Sequence, residues 1–399
     1  MEPAVARWLV SEEAAATRRA ASGESAPDSL AAGTRLRALV TPDRAAAVTD
    51  HELLSRRART KFGDQLTGWF WTSAGLQQAT RPQVSRRRAD RFVELGATRV
   101  VDLGCGCGAD AVALSRAGLQ VSGVELDEVT AIFAQANVGD GVRIHCGDAE
   151  QLAPSLLTPG TAVFCDPARR TASGRTWRVD DFTPSWGFVE SLLDGSRVAC
   201  LKLGPGLPHA LIPDGVEAEW ISDHGTVVEV ALWAGPGTVA GRRRAVVDGL
   251  ELSRDEALVA PEVGELGEYL YEPNGAVIRA GLVPAVAELI GGWRIHDGVA
   301  YLSASRLVRT PWAEEFRVDD VLPYSEKRLR AWVRERRVGV LEIKKRGVDA
   351  DPAELRKRLR PQGPNAATLV LTPTASGAVA LVVSRCRPDA DQPASIVVT

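Results

Sequence analysis

The sequence predicts an α/β protein built around a parallel, doubly wound sheet, and one stretch near position 100 carries this prediction. The apolar run Arg99–Leu103 is short enough for a buried strand. Three glycines follow it: Gly104, Gly106 and Gly108. An apolar pattern at helical spacing then ends at Gly118, a natural helix stop, and a second apolar run over 119–124 closes on Glu125. Strand, glycine loop, helix, strand and acid in this order are typical of the opening unit of such a sheet.

The glycine loop and Glu125 favour a bound adenosine. Glycine lets the backbone turn sharply and approach a ligand, loop amides offer hydrogen-bond donors, and Glu125 can accept from both ribose hydroxyls. The string from Gly104 to Ala109 could serve as a dinucleotide fingerprint. Asp102 favours another cofactor, because a carboxylate there would repel a pyrophosphate and attract the ammonium of a methionyl tail. A structural strand–turn–helix without any ligand is the third interpretation.

The spacing of Asp102 and the three glycines resembles the first motif of class I S-adenosylmethionine methyltransferases. This resemblance implies that Asp102, the glycine loop and Glu125 bind S-adenosyl-L-methionine. In such enzymes an acid just past the third strand binds the exocyclic amine of the adenine. Asp148 follows the predicted strand 142–146 and fits this position, since a carboxylate accepts that N–H directly. Asp148 could also simply cap the next helix.

Composition limits the possible classes of function. The chain has 399 residues, which is enough for two or three domains. Its 48 basic and 51 acidic residues give a net charge of −3, so any electrostatic case for nucleic-acid binding has to be regional. The six cysteines show no metal-ligand spacing, which predicts no metal site and free thiols. The N-terminal stretch lacks the apolar core of a signal peptide, and no run is long enough to span a membrane, so we expect a cytoplasmic protein.

Residues 1–95 are rich in alanine and arginine, and we expect them to form a helical region. The aromatic cluster at 69–71 is flanked by basic residues, a combination that can stack on and pair with nucleic acid. The simpler interpretation, which we favour, is that the aromatic side chains dock the helices onto the sheet and the arginines form a solvated face. Thr72 and Gln78 follow this cluster just before the first strand, where residues often line a cofactor pocket.

Asp166 ends the predicted fourth strand, 161–165, where an open α/β sheet faces its ligand crevice. The segment 166–170 (DPARR) resembles the Asp-Pro-Pro-aromatic motif of amino-methylating enzymes, but it lacks the second proline and the aromatic residue. Asp-Pro-Ala-Arg also occurs in the 5-methyluridine RNA methyltransferases, in which a cysteine on the next strand attacks the base. Cys200 lies near that position here, although its apolar neighbours favour an inert thiol of the core.

Arg169 and Arg170 begin a long polar loop after Asp166, and long loops inside compact domains are usually functional. Arginines beside a catalytic carboxylate suit an acceptor that carries phosphate. The alternative is an arginine–aspartate network that only orders the loop. Three further predicted strands then bring the sheet to seven by count: 197–202, 216–221 and 226–233.

The last part of the chain differs from the rest in charge. Residues 236–322 predict a small α+β module without chemistry of its own, including a helix over 277–290. In residues 323–399, basic side chains cluster on two predicted helices, and this asymmetry in a near-neutral chain favours RNA contact over a merely solvated surface. These side chains include Lys327, Arg328, Arg330, Arg334, Arg336, Arg337, Arg356, Lys357, Arg358 and Arg360.

Taken as a whole, the chain resembles the bacterial methyltransferases that carry a C-terminal THUMP-like domain. The resemblance rests on 75–80 (GLQQAT), 102–108 (DLGCGCG) and 166–170, and most specifically on 341–347 (LEIKKRG). It implies four parts, of which the second has the Rossmann-like, seven-stranded class I fold and the last is similar to the RNA-binding THUMP fold. They are an N-terminal helical region (1–95), the S-adenosylmethionine-binding domain (96–235), a ferredoxin-like module (236–322) and a THUMP-like domain (323–399).

The sequence thus predicts an S-adenosylmethionine-dependent methyltransferase that modifies a base in structured RNA, either tRNA or rRNA. Asp166 would orient the acceptor, while Arg169 and Arg170 would hold a neighbouring phosphate. A paired target base would first have to leave its stack. Two alternatives stay open: a small-molecule methyltransferase whose C-terminal module serves assembly, and a non-catalytic RNA-binding protein that retains the cofactor fold.

Overall fold

The chain divides into two compact units in this computed structural model, which describes residues 1–169, 181–254 and 258–386. The first unit comprises Met1–Ala218 and Glu229–Gly241. The second comprises Glu219–Val228 and Arg242–Thr399. Among the described residues, no helix is both long enough and apolar enough to cross a membrane.

The first unit begins with helices whose ends follow local sequence signals. Pro3, Pro42 and Pro82 lie in the first turns of three of them, where a missing N–H leaves no hydrogen bond unmade. Ser29 and Thr72 accept backbone N–H groups at the N-termini of two others. The helices are α1 (Pro3–Val10), α2 (Ala15–Ser22), α3 (Leu30–Arg37), α4 (Pro42–Phe62), α5 (Ser73–Gln78) and α6 (Pro82–Glu94).

Aromatic packing holds this helical region together. Trp69 and Trp71 stack with their ring centroids 5.5 Å apart, and both side chains are buried. Phe70 packs against Phe133 with a centroid distance of 5.8 Å. The aromatic cluster is therefore part of the core, which is the simpler of the two interpretations of the sequence.

Strands and helices alternate from Arg99 to Cys165, as the sequence predicts, and strands predominate after that. These elements are β1 (Arg99–Leu103), α7 (Ala109–Arg116), β2 (Gln120–Glu125), α8 (Glu128–Val138), β3 (Arg143–Cys146), α9 (Ala149–Leu156), β4 (Ala162–Cys165), β5 (Ala168–Arg169), β6 (Phe182–Thr183), α10 (Trp186–Ser191), β7 (Ala199–Leu203), β8 (Glu217–Asp223), β9 (Thr226–Ala234), β10 (Arg243–Val247) and β11 (Leu250–Arg254). The strands β5 and β6 form a separate two-stranded sheet among the described residues.

The order of the parallel strands in the first unit positions the site. Neighbouring strands follow the order β3-β2-β1-β4-β7, and β9 lies antiparallel beside β7. The chain therefore adds strands outward on one side of β1 and then returns to its other side. The carboxyl ends of β1 and β4 flank this switch in direction, which is where open α/β sheets bind their ligands.

The described part of this sheet contains nine strands, whereas the sequence count gave seven. The two additional strands are β10 and β11, and β10 adjoins β8. Both strands fall within the predicted 236–322 module, so the count of seven leaves them out. Pairing with an edge strand is a long-range contact that leaves no signal in the local pattern.

A second sheet occupies the remainder of the second unit, in the order β13-β14-β12-β15-β18-β17-β16. The long strand β15 pairs with β12 on one side and β18 on the other, so residues of the predicted 236–322 and 323–399 modules share one sheet. The elements are β12 (Tyr269–Pro273), α11 (Gly275–Arg279), α12 (Val283–Ile290), β13 (Trp293–Arg294), β14 (Leu302–Ala304), β15 (Ala313–Pro323), α13 (Glu326–Glu335), β16 (Val338–Lys345), α14 (Pro352–Leu359), β17 (Asn365–Thr374) and β18 (Gly377–Arg385).

The prediction of one helix over 277–290 is wrong, since two helices, α11 and α12, cover this stretch. Pro284 is the physical reason. It lies in the first turn of α12, where proline is tolerated, whereas the interior of a longer helix would lose a backbone hydrogen bond to it.

Helices α13 and α14 each bury one apolar face and expose a basic one. Leu329 and Val333 of α13, together with Leu355 and Leu359 of α14, join a core cluster with residues of β16 and β17. The lysines and arginines of both helices lie on the opposite, exposed faces. The hydrophobic periodicity therefore determines which way the cationic surface of the second unit points.

Candidate functional site

A cavity of about 710 Å³ opens at the carboxyl ends of β1, β2 and β4. Cofactor pockets usually occupy about 300–1,000 Å³, so its size suits a nucleoside-containing ligand. The segment 72–80, which includes Thr72 and Gln78, contributes to its lining. Of the residues predicted for the site, the lining includes Asp102, Gly104, Gly106, Glu125, Asp148 and Asp166.

The glycine loop needs its glycines for conformation and for space. Gly104 has φ +86°, and a Cβ there would lie 3.1 Å from the backbone oxygen of Asp166. Gly108 has φ +90° and does not line the cavity; its Cβ would lie 2.8 Å from Val138 Cγ1. Gly108 therefore serves the entry of the loop into α7 and its packing on α8, while Gly104 and Gly106 present backbone to the cavity.

Glu125 is fixed at the end of β2 by backbone donors. The Gly106 amide donates to Oε2 over 3.0 Å, and the Asp127 amide donates to Oε1 over 2.9 Å. Burial raises the pKa of this carboxyl above its ordinary value. Each oxygen keeps a further lone pair, so the carboxylate can still accept hydrogen bonds from a ligand in the cavity.

Asp148 caps the next helix, which is one of the two roles that the sequence left open. It is the N-cap of α9, and its Oδ1 accepts the amide of Glu150 over 2.8 Å. It also lines the cavity, beside the carboxyl end of β3. Capping therefore orients the carboxylate without using all of its acceptor capacity.

Asp102 is the most unusual group of the site. Its side chain is fully buried at the end of β1, and neither carboxyl oxygen has a hydrogen-bond partner among the described residues. Burial, together with the charges of Asp110 and Asp166, raises its pKa well above the ordinary value. A buried carboxyl without a partner is costly, and a cationic donor in the adjoining cavity would satisfy it.

Asp166 lies at the end of β4 and pairs with Lys202, a residue that the sequence analysis did not select. Lys202 Nζ donates to Asp166 Oδ2 over 2.5 Å. The register of β4 and β7 places Cys165 opposite Leu201, so the next residue of each strand also lies side by side. The signal in the sequence was a lysine at a strand end, and only the pairing of β7 with β4 shows its partner.

Lys202 stays protonated despite its burial. Burial by itself would lower the pKa of this lysine, but the charges of Asp166, Asp110 and Glu229 raise it above the ordinary value. A second lysine, Lys61, donates to the backbone oxygens of Leu76, Gln77 and Ala79 over 2.8, 3.0 and 3.2 Å. Lysine ammonium groups therefore hold both the Asp166 carboxylate and the C-terminal end of α5, which carries Gln78.

A buried ion network underlies the cavity. Arg88 of α6 donates to Asp110 and to Glu229, and the three side chains are at most 9% exposed. The Thr80 hydroxyl donates to the second oxygen of Asp110 over 2.6 Å. The interpretation of this helix's arginines as a solvated face is therefore wrong for Arg88, and Arg91 is also buried, in an ion pair with Glu217.

Arg169, Arg170 and Cys200 are three further residues that the sequence offers for the site. Arg169 lies in β5, where its backbone pairs with Phe182 of β6. Arg170 lies outside the described residues. Cys200 is fully buried within β7 and belongs to a core cluster with Phe164 and Trp233, which agrees with the interpretation as an inert thiol.

Comparison with known proteins finds a family match in each of the two units. Residues 101–162 match a family described as "Methyltransferase domain", and residues 313–385 match "THUMP domain-like". A Mycobacterium tuberculosis protein described as an uncharacterized S-adenosylmethionine-dependent methyltransferase is 34% identical over 360 residues, which are 87% of this chain and 98% of the relative. A crystal structure described as a methyltransferase from Porphyromonas gingivalis has the same fold, with a TM-score of 0.77 and 22% identity over 94% of this chain and 99% of that one.

Replacing Arg88 tests the buried network. We expect Arg88→Met to lower the free energy of unfolding by about 3–5 kcal/mol, because two buried carboxylates lose their cation. The matched control is Arg7→Met, since Arg7 pairs with Glu128 where both side chains are about half exposed, and its loss should cost less than about 1 kcal/mol. Urea unfolding followed by circular dichroism measures both. Equal, small losses for the two variants would show that the network does not stabilise the fold.

Proposed function

The chain belongs to the family of S-adenosylmethionine-dependent methyltransferases, and we propose that it methylates a nucleotide of structured RNA, either tRNA or rRNA. The observation that supports this proposal best is the buried carboxyl of Asp102, which has no hydrogen-bond partner among the described residues. It borders the same cavity as Glu125, Asp148 and Asp166. The carboxylates that would bind the cofactor therefore share one cavity with Asp166, the carboxylate that would orient the methyl acceptor.

The residues of the cavity suit S-adenosyl-L-methionine group by group. Asp102 would bind the ammonium of the methionyl part, and Glu125 the hydroxyls of the ribose. Asp148 would accept the exocyclic amine of the adenine. Gly104 and Gly106 would offer backbone without an intervening side chain. When bound, this cofactor supplies a sulfonium methyl group for displacement.

Asp166 would orient the group that accepts the methyl. Its Oδ2 is held by Lys202, while its Oδ1 has no hydrogen-bond partner in the described ranges. The free oxygen can accept a proton from the acceptor and align its lone pair. Fixing two reactants in a productive geometry can contribute ~7 kcal/mol or more to lowering the barrier.

The second unit supplies the argument for RNA. Lys327, Arg334 and Arg337 are exposed at or near α13 and form no ion pair with a described residue. Other basic side chains nearby are neutralised, since Arg330 and Arg358 both pair with Glu326. Uncompensated cations on one face of a THUMP-like domain suit the phosphate backbone of RNA.

The proposal predicts that the Asp166→Asn variant keeps cofactor binding and loses methyl transfer. We expect its calorimetric Kd for S-adenosylmethionine to stay within about threefold of wild type, while the rate of methyl transfer to total RNA falls by about 10²–10⁴, because the amide cannot accept the proton. Incorporation of labelled methyl into RNA from cells that lack the gene measures the rate. Undiminished incorporation by the variant would remove Asp166 from this role, and no incorporation by wild type would refute RNA methylation.

Binding of the cofactor should release a proton from Asp102. Its raised pKa in the free protein favours the protonated carboxyl, whereas a bound ammonium favours the ionised one. The affinity should therefore increase with pH, and calorimetry in two buffers of different ionisation enthalpy should show proton release. We expect Asp102→Asn to abolish this release and to weaken binding about 10- to 100-fold. Unchanged proton release in the variant would assign it to another group.

Substitutions on α13 test the RNA surface. Deleting residues 324–399 would break the second sheet, because β18 pairs with β15, so point substitutions are the cleaner test. We expect alanine at Lys327, Arg334 and Arg337 to weaken tRNA binding and to reduce the slope of log affinity against log salt by about 0.7–0.9 per lost phosphate contact.

The matched control for this triple variant removes the same charges elsewhere on the two helices. It places alanine at Arg330, Lys357 and Arg358, whose charges are compensated by Glu326 and Glu354. Fluorescence anisotropy over a salt series should show a smaller change for this control, and the cofactor Kd should be unchanged in both variants. Equal losses of RNA affinity in the two triple variants would contradict the proposed surface.

A further inference from the structure

We infer that the acceptor atom is a sugar hydroxyl oxygen of the RNA, and not an atom of a base as the sequence suggests. This inference rests on the proposed RNA methylation. The observation behind it is the pair formed by Asp166, which lines the cavity, and Lys202, whose Nζ lies 2.5 Å from Asp166 Oδ2.

The hydrogen-bond capacity of the pair suits a hydroxyl group. An ammonium has three N–H donors, and Lys202 uses one on Asp166 Oδ2 and one, at 3.5 Å, on the backbone oxygen of Gln78. The described residues provide no acceptor for the third. Asp166 Oδ1 likewise receives no hydrogen bond from any described residue. The pair thus has one acceptor oxygen and one N–H donor without a partner among the described residues, and a hydroxyl oxygen is both a donor and an acceptor.

The charge of the pair also favours oxygen. In the transfer, the acceptor O–H bond breaks and its proton goes to Asp166 Oδ1, a C–O bond forms to the donated methyl, and the C–S bond breaks with its electron pair retained by sulfur. Negative charge develops on the oxygen, where the Lys202 ammonium stabilises it. A neutral amine gains positive charge as it attacks, so the same ammonium would oppose its reaction.

The described lining of the cavity has few side chains on which an unstacked base could stack. Phe164 is its one aromatic residue there, and it is 1% exposed. Ala168, Thr183 and Pro184 are the small, non-aromatic residues that line the cavity together with Asp166. Bases that leave their stack are usually held between aromatic side chains. A sugar hydroxyl belongs to the RNA backbone, so it can enter the site without a base leaving its stack. The free hydroxyl of an internal ribonucleotide is the 2′-OH.

Product analysis tests the inference. Full-length protein and S-adenosylmethionine are incubated with total RNA from cells that lack the gene, and the digested nucleosides are fragmented by mass spectrometry. We expect a nucleoside that gains one methylene mass while its base fragment keeps the unmodified mass. A base fragment that carries the extra mass would overturn this inference and leave RNA methylation intact. The absence of methyl in every nucleoside would overturn both.

Two further measurements separate a chemical role of Lys202 from a structural one. An RNA with a single 2′-deoxy nucleotide at the mapped position should bind like the parent RNA and take no methyl. We expect Lys202→Met to reduce the transfer rate about 10²-fold or more, with Lys202→Arg recovering part of the loss, while the Kd values for tRNA and S-adenosylmethionine stay within about threefold. Methylation of the 2′-deoxy RNA at the same nucleotide would overturn the inference. So would full activity of Lys202→Met.

Discussion

The ion pair between Arg88 and its two carboxylate partners is the interaction on which the rest of the first unit depends. Arg88 belongs to α6, Asp110 to α7 and Glu229 to β9, so one guanidinium joins the helical region, the glycine-loop helix and the far side of the sheet. Because all three groups are withdrawn from water, removal of Arg88 would leave two uncompensated carboxylates in the core. The network thereby fixes the position of Asp110 in the lining of the cavity.

Acidic side chains outnumber basic ones around this network among the described residues, and this excess of negative charge suits a cationic ligand. Four acidic side chains lie close together, whereas Arg88 and Lys202 are the cations that face them among the described residues. The acidic side chains are Asp102, Asp110, Asp166 and Glu229. Lys202 balances Asp166 directly, and Asp102 has no hydrogen-bond partner in the part of the chain that the structure describes. A ligand with a positive charge completes this arrangement, which is the physical basis for proposing a cofactor that carries an ammonium and a sulfonium.

The two units use basic residues in opposite ways. In the first unit, Arg88 and Arg91 are buried in ion pairs that organise the fold. In the second unit, α13 turns its apolar face to a sheet, and its basic residues remain at the surface. Residue type and spacing look alike in the two regions, and burial is what distinguishes a structural arginine from one that is available to a phosphate.

The sequence by itself determined the alternation of strands and helices from Arg99 to Cys165, the glycine loop, and the positions of Asp102, Glu125, Asp148 and Asp166 in or just after predicted strands. These features are local, since hydrophobic periodicity and glycine conformation act within a few residues. Only the tertiary structure decided the partners of these groups. Lys202 lies 36 residues from Asp166, Glu229 lies 141 residues from Arg88, and strand pairing brings each to its partner. Charge pairing and burial depend on such long-range packing, and for this reason the pattern of residues along the chain could not reveal them.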